Sequence, residues 1–344
     1  METPGAPSAV SQITRRTAQA EMVTVTRFQD LRRQGEPMVL KGLVADWPLV
    51  QAAAHDRAPD YLKQIASDDP VQFMRAAPEI QGRLHYAQGA EGRNFEPHRA
   101  SLHAFLDLLA AEADKPKGDS LVLQGMPADE RLRGFLAAHP MPLLPTSVAP
   151  RVWIGNAATV AIHHDPSENI ACVAAGRRRF TLFPPEAVSD LYMGPFHQTP
   201  AGVQVSMVHL TDPDLERFPR FARALEVAQV AELEPGDALY IPYHWYHHVE
   251  SLAAFNVLVN YWWDPAQPGF GSPWDALMHG MMSLRALPPQ QRRAWRAMFD
   301  HYVFETNGDP GAHLPSDGRG ILSAPTPRAA AQMARIRRQK LERN

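Results

Sequence analysis

Between residues 117 and 265 the chain breaks into short runs of alternating apolar and polar positions, bounded by proline, glycine or aspartate. The runs are SLVLQG, RVWIGN, TVAIHHD, NIACVAAG, RRRFTLFPP, DALYIP, HHVES and AFNVLVNYWW. A period of two belongs to strands with one buried face. Many such strands closely spaced by turns predict an antiparallel sandwich or barrel, not a βαβ array. Ahead of them, the spacing predicts a short helix around Phe28–Gln34, an apolar strand over Pro37–Gly42 and an amphipathic helix over 101–113. In that last helix Ser101 supplies the N-cap, and Leu102, Phe105, Leu106, Leu108 and Leu109 form the apolar stripe.

After the strands the period changes to that of helices. PWDALMHGMMSLRAL and PPQQRRAWRAMFDHYVFE predict two amphipathic helices joined through Pro-Pro. The organisation expected is a loose lead-in over 1–20, N-terminal α/β elements over 21–116, a β-rich core over 117–265, a helical hairpin over 266–304 and a tail over 305–344. The hairpin must bury its stripe against its own domain or a second copy, and a homodimer is the expected outcome.

Composition narrows the function. Of 344 residues, 45% are hydrophobic and 21% charged, with a net charge of −3. That is a globular profile without the basic field that nucleic acid or an anionic membrane surface would require, so neither partner is expected. The single cysteine, Cys172, excludes an intrachain disulfide framework and any multi-cysteine zinc site. No apolar run reaches the roughly 18 residues of a membrane span. The opening METPGAPSAVSQITRR lacks the charged-then-apolar pattern of a secretory signal, so a cytoplasmic location is expected.

The chemistry concentrates in AIHHDPSENI, residues 161–170. Alternate side chains of a strand share a face, so His163 and Asp165 point one way and His164 the other. Ligands two residues apart lie about 6.5–7 Å apart at Cα, close enough to reach one ion. A third ligand is offered by YIPYHWYHHVES, where His247 and His248 enter a strand and only one of the two can face inward. Two histidines and a carboxylate form the facial triad of non-haem Fe(II) oxygenases, which leaves positions open for a co-substrate and dioxygen. A zinc-dependent hydrolase or a non-catalytic metal-binding sensor could use the same ligands.

In GRRRFTLFPP, alternation sets Arg178, Phe180 and Leu182 on one face. If that face is the inner one, a guanidinium enters an apolar barrel and requires an anion there. A dicarboxylic 2-oxoacid would meet the metal at one end and Arg178 at the other. Asn256, Asn260 and Trp262 share a face of FNVLVNYWW, and buried amides need partners too. Trp245, Tyr246, Trp262 and Trp263 could supply an aromatic wall for a substrate.

These stretches, with DPDLERFPRF and VNYW in the same order, resemble the cupin-like JmjC branch of the 2-oxoglutarate oxygenases. Within that branch they are especially similar to the asparaginyl hydroxylase that inhibits hypoxia-inducible factor. The resemblance covers roughly 150–265. It implies a mainly β fold: a double-stranded β-helix (jelly-roll, cupin-like) with flanking helices and a C-terminal helical pair. It implies Fe(II) on His163, Asp165 and His247, 2-oxoglutarate as co-substrate, and dioxygen. Arg178 takes the position of the family's basic residue for the distal carboxylate. Asn169 and Asn260 match polar residues of that pocket, Trp262 an aromatic beside the iron, and the C-terminal helices the dimerisation element. Gln124, and more weakly Gln204, echo substrate-binding glutamines, and Trp245 and Tyr246 join them as expected substrate contacts. The tyrosine and threonine that the asparaginyl hydroxylase places on 2-oxoglutarate are Val122 and Val160 here. The expected reaction is hydroxylation of a C–H bond in a protein side chain or small molecule, with demethylation of N-methyl lysine as a further branch of the class.

Overall fold

In the computed structural model, residues 9–87, 92–115, 117–196, 199–200, 202–263, 271–323 and 326–341 are described. Fourteen strands fall among them. β1 (Ala18–Glu21), β2 (Met38–Lys41), β3 (Val71–Ala76), β4 (Arg83–Leu84) and β5 (Glu96–Ala100) come first. β6 (Ser120–Pro127), β7 (Pro150–Gly155), β8 (Thr159–His164), β9 (Glu168–Ala175) and β10 (Arg178–Phe183) follow. After a long excursion come β11 (Gln229–Leu233), β12 (Ala238–Ile241), β13 (Tyr246–Ser251) and β14 (Asn256–Trp263). They form a nine-stranded sheet ordered β1-β2-β12-β9-β14-β7-β6-β3-β5 and a five-stranded sheet ordered β11-β10-β13-β8-β4. From β7 to β14 the chain passes repeatedly from one sheet to the other, which is the jelly-roll winding.

The two sheets face each other across one apolar layer. Val39, Ala171, Val173, Leu239, Ile241 and Leu258 from the larger sheet meet Phe180, Leu182, Ala231, Leu233 and Val249 from the smaller. The outer face of the larger sheet is also covered, by the helices Val25–Gln34, Pro48–Ala53, Ala58–Ile65 and Leu102–Ala113, which bury Phe28, Leu62 and Phe105 against Tyr240 and Val257. β9 is therefore buried at every position, which explains why its sequence is a continuous apolar run and not an alternating one. Ser101 caps its helix as expected, accepting from the Ala104 amide at 3.2 Å. The outer face of the smaller sheet packs Ile162, Phe183 and Tyr246 against Leu191, Val208, Leu210 and Phe221 of the excursion between β10 and β11.

The lead-in is more ordered than its composition indicates. Ala18–Glu21 pairs in parallel with β2, so part of the segment read as loose is an edge strand of the larger sheet. The chain divides into two compact units, residues 1–264 and 265–344. The second contains the two expected helices, Pro273–Leu284 and Pro289–Tyr302, and a further helix, Pro327–Leu341, in the basic tail. Among the described residues no helix is long and apolar enough to cross a membrane.

The corner that turns β9 into β10 depends on Gly176, at φ +71°. A Cβ there would collide with the Asn256 side-chain oxygen and the Phe255 carbonyl, and the left-handed conformation already disfavours any other residue. Gly176→Ala should therefore destabilise the fold by about 2–4 kcal/mol, read as a fall in the urea midpoint at constant m-value.

Candidate metal centre

His163 is the second-last residue of β8, and it pairs directly with His247 on β13. Facing residues of an antiparallel pair stand about 4.5–5.5 Å apart at Cβ and project to the same side, and here that side is the inter-sheet layer. The two imidazole centroids are 4.3 Å apart. Asp165 leaves the end of β8 on the same side, with its carboxylate 3.6 Å from His247 Nε2. One potential ligand atom from each of His163, Asp165 and His247 lies within 4.8 Å of the others, and among the described residues this is the one such group. A register irregularity follows His247, so that Val249 pairs with Val160. The extra residue lies on β8, so that His163 and Val160, three apart, can both face the inner layer, while His247 and Val249 share that face by alternation and His248 takes the other.

The ligand nitrogens are aimed by their own backbone. His163 Nδ1 donates to the Ala161 carbonyl at 2.9 Å, and His247 Nδ1 donates to the Trp245 carbonyl at 3.1 Å. A carbonyl can only accept, so the proton is fixed on Nδ1 and each Nε2 presents its lone pair. Burial, reinforced by the His163 ring, pushes the His247 pKa down to about 4. The imidazole is thus neutral at physiological pH, the state a metal requires. Asp165 is held as firmly. Its Oδ2 accepts from Trp262 Nε1 at 3.0 Å and from Asn169 Nδ2 at 3.3 Å. Trp262 and Asn169 are themselves cross-strand partners on β14 and β9, so the facing sheet orients the carboxylate that the smaller sheet supplies.

Arg178 resolves the question posed by the three consecutive arginines. Arg177 is exposed, and Arg179 turns outward to Glu232 at 3.0 Å and Glu250 at 3.5 Å. Arg178 is buried, with Phe180 and Leu182 of the same face in the inter-sheet layer. No carboxylate among the described residues pairs with it, and its Nε has no hydrogen-bond partner. Burial lowers its pKa to about 10, which still leaves it cationic at neutral pH. An unpaired buried cation costs several kcal/mol, and the chemistry that offsets the cost is an anionic ligand. The donor set and the orphaned guanidinium thus fit a metal ion and a carboxylate bound in the same layer.

The remaining expected residues divide between layers. Asn260 lies on the inner face, with its Oδ1 accepting from Trp153 Nε1 at 2.8 Å. Gln124 is half-buried on β6. Trp245, expected at a substrate wall, packs in the inter-sheet core with its indole N–H on the Gly35 carbonyl at 3.0 Å. Tyr246 packs on the outer face of the smaller sheet, edge-on to His164, because it is one residue out of phase with His247. Trp153 had not been singled out. Its only sequence signal is its inward phase in RVWIGN, which does not separate a polar contact from core packing.

A jelly-roll with two histidines and a carboxylate converging between its sheets defines a metal-dependent cupin. Residues 25–268 match the model of the cupin-like domain, and the chain belongs to the cupin-like (JmjC) domain family. It is similar to the Lysine-specific demethylase JMJ31 of Arabidopsis thaliana, 38% identical over 112 residues, 32% of this chain and 20% of that protein. It is 33% identical over 148 residues to the HSPB1-associated protein 1 of Homo sapiens, 42% of this chain and 30% of that protein. With the Jumonji C domain-containing protein 5 of Drosophila melanogaster it shares 32% identity over 243 residues, 67% of this chain and 55% of that protein. The chain spans between a fifth and about a third of the first two relatives.

The donors behind the carboxylate should be measurable in metal affinity. Trp262→Phe should weaken Mn(II) binding about tenfold by calorimetric titration, whereas His247→Ala should abolish stoichiometric binding. Both variants should keep the wild-type circular dichroism spectrum.

Proposed function

We propose that the protein is an Fe(II)- and 2-oxoglutarate-dependent oxygenase that hydroxylates a C–H bond of a protein side chain or small molecule. The observation that carries this reading is Arg178, a buried cation without a counter-ion among the described residues, in the layer that holds the three candidate metal ligands. A zinc hydrolase would need the ligands but has no use for a second, anion-binding charge deep in the barrel.

His163, Asp165 and His247 would hold the iron on one face and leave the opposite face open. Ferrous iron with 2-oxoglutarate and dioxygen supplies an oxidant that places one oxygen atom in the substrate and the other in succinate, with release of carbon dioxide. The chain's own residues position and exclude. Arg178 receives the distal carboxylate, Asn260 offers an amide beside it, and the apolar layer of Phe180, Leu182 and Val249 keeps bulk water from the reacting centre. Nδ1 of both histidines keeps its proton on backbone carbonyls throughout, so the ligands take no part in proton transfer.

The relatives' names support two substrate branches, since lysine demethylases stand among them. Both branches begin with the same C–H oxidation, so the demethylase reading is a matter of which carbon is presented. The C-terminal hairpin supports self-association: no residue of its two helices is buried, and Leu277, Met278, Met282, Trp295 and Met298 are exposed. A homodimer would cover that apolar surface. Replacing Met278 and Met282 with glutamate should convert a dimer to a monomer by sedimentation velocity.

The oxygenase reading is tested by succinate release from iron-loaded protein supplied with 2-oxoglutarate. Arg178→Ala should raise the apparent KM for 2-oxoglutarate on the order of a hundredfold while iron content stays at the wild-type level. Zinc in the purified protein, with no 2-oxoglutarate consumed, would return the assignment to a hydrolase or a binding protein.

A further inference from the structure

The inner face of the larger sheet carries two indoles at right angles. Trp153 on β7 and Trp262 on β14 meet edge to face, with centroids 5.9 Å apart and planes at 86°. Trp262 donates to the metal-binding carboxylate, and Trp153 donates to Asn260 Oδ1 at 2.8 Å. The second contact is the informative one. An asparagine amide has an accepting and a donating end that differ little in shape, and its orientation follows from its hydrogen bonds. Trp153 can only donate, so it captures Oδ1 and turns Nδ2 the other way. Among the described residues no protein acceptor meets that Nδ2.

We propose that Trp153 is a positioning residue for the anionic co-substrate. It locks the Asn260 amide so that only its N–H groups face the carboxylate that Arg178 attracts. The inference rests on the 2-oxoglutarate reading and adds to it a residue outside the ligand set. The need for such a device is visible in the chain. The positions where the resembling hydroxylase carries a tyrosine and a threonine on 2-oxoglutarate are Val122 and Val160, buried and half-buried apolar residues without a hydroxyl. With those donors absent, more of the orienting work falls on Arg178 and Asn260. A flipped Asn260 would set a carbonyl oxygen against a carboxylate, converting an attraction into a repulsion. The local fold makes room for the indole. The β6–β7 register is interrupted between Leu123 and Met126, and Gly125, at φ +60°, lies against the Trp153 ring.

The test is a double-mutant cycle on Trp153 and Asn260, read as 2-oxoglutarate affinity by anaerobic calorimetry on the Mn(II)-loaded full chain. Trp153→Phe keeps the aromatic bulk and removes the N–H. It should weaken binding about fivefold and raise KM by the same factor with kcat unchanged. Asn260→Ala should weaken binding at least as much, and adding Trp153→Phe to it should cost nothing further, because the indole acts only through the amide. Unchanged affinity in Trp153→Phe, or the same fivefold loss in the Asn260→Ala background, would overturn the proposal while leaving the oxygenase reading intact. Wild-type protein that binds no 2-oxoglutarate would remove both. Thermal unfolding of each variant separates a folding defect from loss of orientation.

Discussion

A guanidinium buried in an apolar layer, with no carboxylate partner among the described residues, is the constraint on which the rest of this structure turns. Hydrophobic burial alone would fill the jelly-roll with aliphatic side chains, and at Phe180, Leu182 and Val249 it does. At Arg178 the same face admits a charge, and no carboxylate among the described residues pairs with it. Such a residue lowers stability unless a ligand completes it. The chemistry that would offset this cost is an anionic ligand. The three candidate metal ligands lie in the same layer, so in the proposed oxygenase the anion and the ion would belong to one site.

Strand pairing fixes the remaining geometry. His163 and His247 are distant in sequence but opposite each other in register, so their approach is set by backbone hydrogen bonds and needs no side-chain adjustment. The larger sheet then contributes what the smaller lacks. Trp262 and Asn169 donate across the gap to the Asp165 carboxylate, and Trp153 donates within its own sheet to the Asn260 amide, so each of these groups is held in one orientation. Placing a functional site on facing sheets, with its supporting hydrogen bonds on the opposite one, gives orientation without a mobile loop.

Much of this was legible in the order of residues, for reasons that differ by element. Alternation in TVAIHHD and RRRFTLFPP divides the two histidines and the three arginines between the two faces of a strand, and the apolar company of Arg178 points to the inner one, but which face is inner is set by the packing of the sheets. The catalytic-core strands were readable because turns of proline and glycine mark their ends. β3, β5 and β11 were not singled out: EPHRA carries no apolar alternation at all, and its pairing with β3 is a matter of tertiary context. Tyr246 shows the opposite failure. An aromatic next to a metal ligand suggests a substrate wall, yet adjacency in a strand guarantees opposite faces, and the outer cluster claims it. Trp153 was illegible for a subtler reason. Its partner, Asn260, lies on the neighbouring strand and diagonal to it in the register, since Trp153 pairs with Leu258. A diagonal contact is set by side-chain reach and twist, which no local pattern encodes.

The polar groups of the inner layer follow a single logic of supply and demand. Both histidine Nδ1 atoms are spent on backbone carbonyls, Asp165 Oδ2 on Trp262 and Asn169, and Asn260 Oδ1 on Trp153. Once these are satisfied, the inner layer retains two Nε2 lone pairs and the second carboxylate oxygen suited to a cation, the guanidinium and amide N–H groups suited to an anion, and Asn169 Oδ1, which has no partner among the described residues. Nothing in that inventory requires the tyrosine and threonine hydroxyls whose places are taken by Val122 and Val160. In the proposed oxygenase, binding of the co-substrate would rest on the charge of Arg178, which dominates the energetics in a dry layer. Val122 packs with Met74, Leu84 and Phe95, and Val160 against the inter-sheet layer, so both positions are apolar packing here. The resemblance is therefore informative about the reaction and much less so about its target, since the first is fixed by charge and register and the second by apolar surface.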